Sequence, residues 1–257
     1  MRLDLPTTGL EGYTSASQRA RVATELWGLG NLYCANCTSG SLNASRPNTP
    51  AVDFECPECR TCFQLKSHSR IFGSRIVDSA YSKMVREIKL DRTPNLLALR
   101  YDLESWEVRD VLLIPSFAFP LSAVEKRKPL AASARRAGWV GCNILLGAIP
   151  SDARIPVVAD GVTIPAKQVR EQYARIRPLK MLKAEQRGWT LDVLTAVRSL
   201  SKQGFLLSEV YALDRELAAL HPSNRHVREK IRQQLQVLRD MGLLEFVGGG
   251  RYRLTAG

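Results

Sequence analysis

Two groups of residues in this 257-residue chain have types and spacings that can do chemistry, and they interleave. The first is Cys34-Ala35-Asn36-Cys37 followed by Cys56-Pro57-Glu58-Cys59. Two thiolates three positions apart can bite one tetrahedral ion from a tight turn, and two such knuckles complete four sulfur ligands. This is the pattern of a structural zinc site, closed to water. Cys62 stands three positions beyond Cys59 and could replace it. Cys59 is preferred, because Cys62 falls in the next strand. Cys142 reads as a buried thiol.

The second group is Asp53, Gln64 and Lys66. Short strands are predicted over 51–55 and 61–67, separated by a tight turn. Side chains alternate along a strand, so Gln64 and Lys66 share a face while Leu65 points the other way. If the strands pair around the turn, Asp53 comes close to both. A carboxylate, a second oxygen donor and an ammonium then share one pocket. Phosphodiester hydrolysis needs these groups: a divalent ion on oxygen donors polarises the phosphate and its water, and a cation stabilises the developing charge. Magnesium suits such a site, since it keeps several waters. Taken alone, Asp-x10-Gln-x-Lys is a weak signal, since a strand with an exposed Gln and Lys is mostly a solvated face.

The elements that must hold these residues read as a mixed α/β layer. A helix is predicted over 15–27 from the spacing of Ala20, Ala23, Leu26 and Trp27, and a polar loop over 38–50. A second helix is predicted over 74–90, where Ile76, Ala80, Met84 and Ile88 recur every fourth residue. Strands follow over 95–101 and 107–115, with more over 155–164. Around 175–187 the chain turns basic without a period, and Pro178 interrupts it. The boundary is placed there, giving a catalytic domain over 1–182 and a second domain over 183–257. The second domain reads as three helices over 191–200, 207–220 and 225–241. Strands over 244–247 and 251–254 then flank Gly248-Gly249-Gly250, giving a winged helix-turn-helix.

The composition excludes some classes and favours another. No stretch approaches the roughly 20 apolar residues of a membrane helix, and the N-terminus lacks the apolar core of a signal peptide. A soluble, cytoplasmic protein is expected, with no membrane partner. In a reducing cytoplasm its six cysteines read as metal ligands and spare thiols. The formal charge of +12 favours a polyanionic partner. On the predicted 225–241 helix, Arg225, Arg228, Arg232, Gln236 and Arg239 fall on one stripe, about 120° from the apolar stripe Val227, Ile231 and Leu238. Such a helix can bury one side and offer Arg and Gln to a DNA major groove. Lys230 and Arg251 are candidate phosphate contacts.

The chain resembles the DpnI-type methylation-dependent restriction endonucleases along essentially its whole length. The likeness runs through Ser17-Gln18, Ala20-Arg21, Thr24-Glu25, both cysteine pairs, Asp53-Phe54, Leu65-Lys66-Ser67 and Ala80-Tyr81. Its most specific stretches are Arg127-Lys128-Pro129-Leu130-Ala131, Ala134-Arg135-Arg136-Ala137-Gly138-Trp139 and Gly141-Cys142-Asn143-Ile144. It continues in Arg187-Gly188-Trp189-Thr190 and from Glu229 through Gln236 to Leu238-Arg239-Asp240.

That resemblance implies a PD-(D/E)XK nuclease core with a structural zinc, followed by a winged-helix domain. It implies magnesium-dependent cleavage of double-stranded DNA at GATC sites carrying N6-methyladenine. Asp53 would be the metal-binding aspartate, Lys66 the motif lysine and the Leu65 carbonyl a further magnesium ligand. Metal-activated water would attack the phosphate directly. Trp139 would meet the apolar methyl groups, with Arg135 and Arg136 on phosphates, although a core tryptophan beside Cys142 is the competing expectation. The chain is expected to act as a monomer, with no obligatory protein partner. One departure stands out: where the family has a glutamate, this chain has Gln64. An amide oxygen can ligate magnesium but brings no charge, and Glu55 is a candidate to compensate. Gln64 also keeps open an inactive zinc and winged-helix protein that binds methylated DNA without cutting it. A zinc-ribbon module for protein partners leaves the basic helix unexplained.

Overall fold

The computed structural model describes residues 1–46, 49 and 51–255. In chain order the helices are α1 (Ala16–Asn31), α2 (Tyr81–Lys89), α3 (Ala166–Ile176), α4 (Ala184–Ser199), α5 (Leu207–Tyr211), α6 (Asp214–Leu220) and α7 (Val227–Asp240). The strands are β1 (Asn43–Ala44), β2 (Phe54–Glu55), β3 (Cys62–His68), β4 (Arg75–Ala80), β5 (Asn95–Tyr101), β6 (Val108–Ile114) and β7 (Val124–Lys126). After them come β8 (Gly141–Leu145), β9 (Ile155–Ala159), β10 (Val162–Thr163), β11 (Gly204–Leu206), β12 (Leu244–Gly248) and β13 (Arg251–Leu254).

The chain packs as two compact units, and neither is one continuous stretch. The first contains Met1–Gly73, Pro94–Ser116 and Ala153–Ala174. The second contains Ser74–Thr93, Phe117–Asp152 and Arg175–Gly257.

The first unit is built on a seven-stranded sheet of order β1-β2-β3-β5-β6-β9-β10. Only β3 and β5 pair in parallel, with Leu65 opposite Leu97 and Lys66 opposite Ala98. β5 is buried at every position but Arg100, as a central strand covered on both faces should be. Phe54, Phe63, Leu96, Leu99, Leu113 and Ile114 are each no more than 2% exposed and fill the core around this sheet with Trp27 of α1. Removing the Phe63 ring would cost about 3–5 kcal/mol at such a site. α1 itself lies against β3, where the Thr24 hydroxyl donates to Ser67 Oγ at 3.2 Å. Pro47, Asn48 and Pro50 of the predicted polar loop lie outside the described residues.

In the second unit, β4-β8-β7 form a small antiparallel sheet. Helices α4 to α7 and the sheet β11-β13-β12 make up its C-terminal part. α7 packs on α4 through Ile231, Leu235 and Leu238, none of them accessible. One buried polar link crosses that contact: the Thr190 hydroxyl donates to Gln234 Oε1 at 2.7 Å.

Three expected elements differ. The predicted 74–90 helix is strand β4 followed by α2, because 75–78 alternates exposed and buried and finds a partner strand in β8. The predicted 207–220 helix is two short helices, α5 and α6. The 51–55 strand is reduced to Phe54–Glu55.

Candidate active site and zinc knuckle

The turn joining β2 to β3 carries the second cysteine pair. It closes through Cys56 N–H to the Thr61 carbonyl at 2.9 Å and Arg60 N–H to the Cys56 carbonyl at 3.1 Å. The first pair lies in the loop after α1. The sulfurs of Cys34, Cys37, Cys56 and Cys59 all fall within 4.8 Å of one another, with Cys34–Cys59 and Cys37–Cys56 each 3.5 Å apart. Four sulfurs about 2.3 Å from one tetrahedral ion lie about 3.8 Å apart, so the cluster fits zinc. It is far too open for disulfides. The cluster could hold a zinc ion. Cys62 stands apart, its thiol donating to the Arg60 carbonyl. Cys142 is buried, its thiol donating to the Ser79 carbonyl at 3.3 Å.

The knuckles carry their own thiolate chemistry. Burial opposes ionisation of Cys59, but the Thr61 hydroxyl and amide, the Asn36 amide and the Cys34 thiol outweigh it and bring Cys59 down to about 6. Burial pushes Cys34 well up and Cys37 to about 11. From α3, Arg170 braces the first knuckle. Its guanidinium donates to the carbonyls of Cys34 at 3.0 Å and Ser39 at 2.8 Å and lies over the Tyr33 ring.

Asp53, one residue before β2, is fixed on three sides. Its N–H donates to the Phe63 carbonyl at 2.9 Å and its carbonyl accepts from Ser45 N–H at 2.9 Å. Its carboxylate accepts from the Leu65 N–H at 2.7 Å. The Leu65 amide, two residues along the same strand edge from Phe63, is therefore taken by the Asp53 side chain. In a strand the N–H and C=O of one residue leave on the same edge, so the Leu65 carbonyl is directed to this side too. Gln64 and Lys66 share the alternate face of β3. Burial pushes the Asp53 carboxyl above its usual range and Glu25 adds to this; the Leu65 hydrogen bond, Lys66 and Arg21 pull it down. Asp53 thus stands in the field of Lys66, as expected, and of two residues of α1.

Those two were not expected. Arg21 donates to Glu25 at 2.7 Å, one helical turn away, and both line a cleft of about 460 Å³ with Asp53. Gly28, a turn further on, lets the helix approach: a Cβ there would meet the Phe54 ring at 2.6 Å. The sequence holds little sign of this beyond Thr24-Glu25 falling in a stretch shared with the family. Glu55 does not join the site. Its carboxylate pairs with Arg60 at 2.6 Å, on the turn.

A model of the Dam-replacing family matches residues 1–182, and one of the Dam-replacing helix-turn-helix domain matches residues 185–254. The chain belongs to the Dam-replacing family. The matched stretches divide near residue 183, whereas packing groups β4, α2, β7 and β8 with the helix-turn-helix segment.

Within the Dam-replacing helix-turn-helix, α7 buries Ile231, Gln234, Leu235 and Leu238 and exposes Arg232, Gln236 and Arg239. Val227 and Lys230 are half-buried. Arg225 precedes the helix and is exposed, while Arg228 donates to Asp214 at 2.8 Å and lies over the Tyr211 ring. Arg251, also exposed, begins the last strand of the wing. In the second unit's small sheet, residues 127–140 form the long loop of the β7–β8 hairpin. Arg135 and Arg136 are exposed on it. Trp139 is half-buried rather than core: its ring lies under the Arg136 guanidinium, 4.6 Å from the ring centroid, and over Gly141. A Cβ at Gly141 would meet that ring at 2.7 Å, so a side chain there would push the tryptophan aside. Among the described residues, no helix is long and apolar enough to cross a membrane.

Proposed function

We propose that this member of the Dam-replacing family is a methylation-dependent restriction endonuclease that hydrolyses double-stranded DNA at GATC sites with N6-methylated adenine. The observation that carries the proposal is the three-way backbone fixation of Asp53 beside β3, the strand of Gln64 and Lys66. That arrangement is what a PD-(D/E)XK core requires. Asp53, the Gln64 amide oxygen and the Leu65 carbonyl would hold magnesium, an all-oxygen set suited to a hard cation. When bound, magnesium supplies Lewis-acid polarisation of the phosphate and a more acidic water. Asp53 is pre-positioned by its hydrogen bonds, so little ordering is left for the moment of reaction. Lys66 offers a fixed ammonium to the charge that develops on the phosphate. The four-sulfur site, with zinc bound, braces the turn between β2 and β3 without touching substrate.

In this proposal residues 1–182 form the catalytic domain and 183–257 the winged-helix domain, acting as a cytoplasmic monomer. Arg232, Gln236 and Arg225 read the major groove, Lys230, Arg251, Arg135 and Arg136 hold phosphates, and Trp139 meets the methyl groups. Arg228, engaged with Asp214, contributes once that pair opens.

Plasmid DNA with and without N6-methylated GATC, incubated with the protein with and without magnesium, tests the proposal. Cleavage confined to methylated DNA plus magnesium is expected. Gln64 favours one second reading, a protein that binds methylated DNA without cutting. Retention of methylated DNA in a gel shift, with no cleavage at any divalent-ion concentration, would select it.

A further inference from the structure

We propose that Glu25 is the second carboxylate of the divalent-ion site, supplying from α1 the negative charge that Gln64 does not. The proposal rests on the nuclease reading of Asp53, Gln64 and Leu65. Those three offer one anionic side chain and two neutral oxygens. Hard divalent ions are held through carboxylates, and affinity follows ligand charge, so such a set is weak unless another acid reaches it.

The cleft in front of Asp53 supplies that acid. Of the residues lining it, Asp53 and Glu25 are the two acids. Glu25 is held in place by contacts on either side of it along α1. Thr24, its neighbour, is hydrogen-bonded to Ser67 of β3. Gly28, three residues on and therefore on the same helical face, lies against the Phe54 ring, next in sequence to Asp53. Between these anchors the Glu25 side chain, about one-third exposed, lines the cleft.

Arg21 completes the case. Its guanidinium donates to Glu25, and its side chain is 73% exposed. It is thus a displaceable internal counter-ion: an exposed i,i+4 pair is weak, and a divalent ion would take its place at the carboxylate. Glu55, paired with Arg60 on the turn, is not among the residues that line this cleft.

Manganese binding to the zinc-loaded, full-length protein in the absence of DNA gives the test, read from the free-ion electron paramagnetic resonance signal. Manganese ranks below zinc for a thiolate site and will not displace it. The unchanged protein should bind one manganese ion, and Asp53→Asn should abolish binding. Glu25→Gln should weaken it at least about tenfold. Gln64→Glu should tighten it, and in the double variant Glu25→Gln with Gln64→Glu affinity should return to near its starting value. Melting curves and one zinc per chain in each variant keep misfolding from imitating the result. Asp53-dependent binding that is unchanged by Glu25→Gln overturns the proposal alone. Binding that survives Asp53→Asn, or is absent from the unchanged protein, overturns the site on which it rests as well.

Discussion

Asp53 is positioned by its backbone more than by its rotamer. With N–H, C=O and carboxylate each hydrogen-bonded, the side chain has little freedom left, which suits a metal ligand. Burial raises the carboxyl above its ordinary range, so the folded protein holds that proton more tightly than the unfolded chain does. Stability from this group is therefore full below the unfolded value and is lost as pH rises through the raised one. Without divalent ions, Asp53→Asn should raise the melting temperature at pH 7 and change little in strong acid, read by calorimetry across pH. It should also abolish cleavage. Lys66→Ala should lower the single-turnover cleavage rate by about 10²–10³-fold with DNA affinity nearly unchanged. The shared face of Gln64 and Lys66 was legible in the sequence because strand alternation is a local rule. Glu25 was not, because only the docking of α1 on β3 brings a distant helix residue to the cleft.

At the scale of elements, the cysteine knuckles and the hairpin that carries Gln64 and Lys66 share one piece of chain. Cys56 and Cys59 sit in the turn between β2 and β3, while Cys34 and Cys37 follow α1, so a bound zinc would tie that helix's end to the hairpin. Arg170 adds a third tie, from α3. Groups that hold ligand backbones in place typically alter metal affinity about 10–100-fold. Arg170→Ala should therefore speed zinc transfer to a chromogenic chelator about tenfold, and full zinc removal should end cleavage. A transfer rate equal to that of the unchanged protein would leave Arg170 with no part in the site. The sequence could not show this arginine: no element is predicted over Ala166–Ile176, and only the docking of α3 brings Arg170 to the Cys34 and Ser39 carbonyls. The same limit explains β4. Ile76, Ala80, Met84 and Ile88 satisfy a helical period, and only pairing with β8, far along the chain, selects the strand. β11 escaped for a like reason: three residues become a strand only by adding to the edge of β13.

For the whole molecule, the +12 charge and the cations of α7, the wing and the 127–140 loop bear on how DNA is held. Composition made a polyanionic partner legible, but not how the chain is shared between units: β4, α2, β7 and β8 pack with the C-terminal helices across a large sequence separation. Affinity and methyl discrimination should separate experimentally. If Lys230, Arg251, Arg135 and Arg136 neutralise phosphates, log Kd against log salt should have a slope of about 3.6 from these four, because each released counterion contributes about 0.9. Replacing any one of them by alanine should flatten that slope by about one unit for methylated and unmethylated sites alike. Trp139 carries no charge, and its ring is held between Gly141 and the Arg136 guanidinium. Trp139→Ala should leave the slope untouched and cut the preference for methylated over unmethylated GATC, measured as a ratio of Kd values at one salt concentration. A lower slope with an intact ratio would mean that the tryptophan only supports Arg136, and the methyl contact would have to lie elsewhere on the protein.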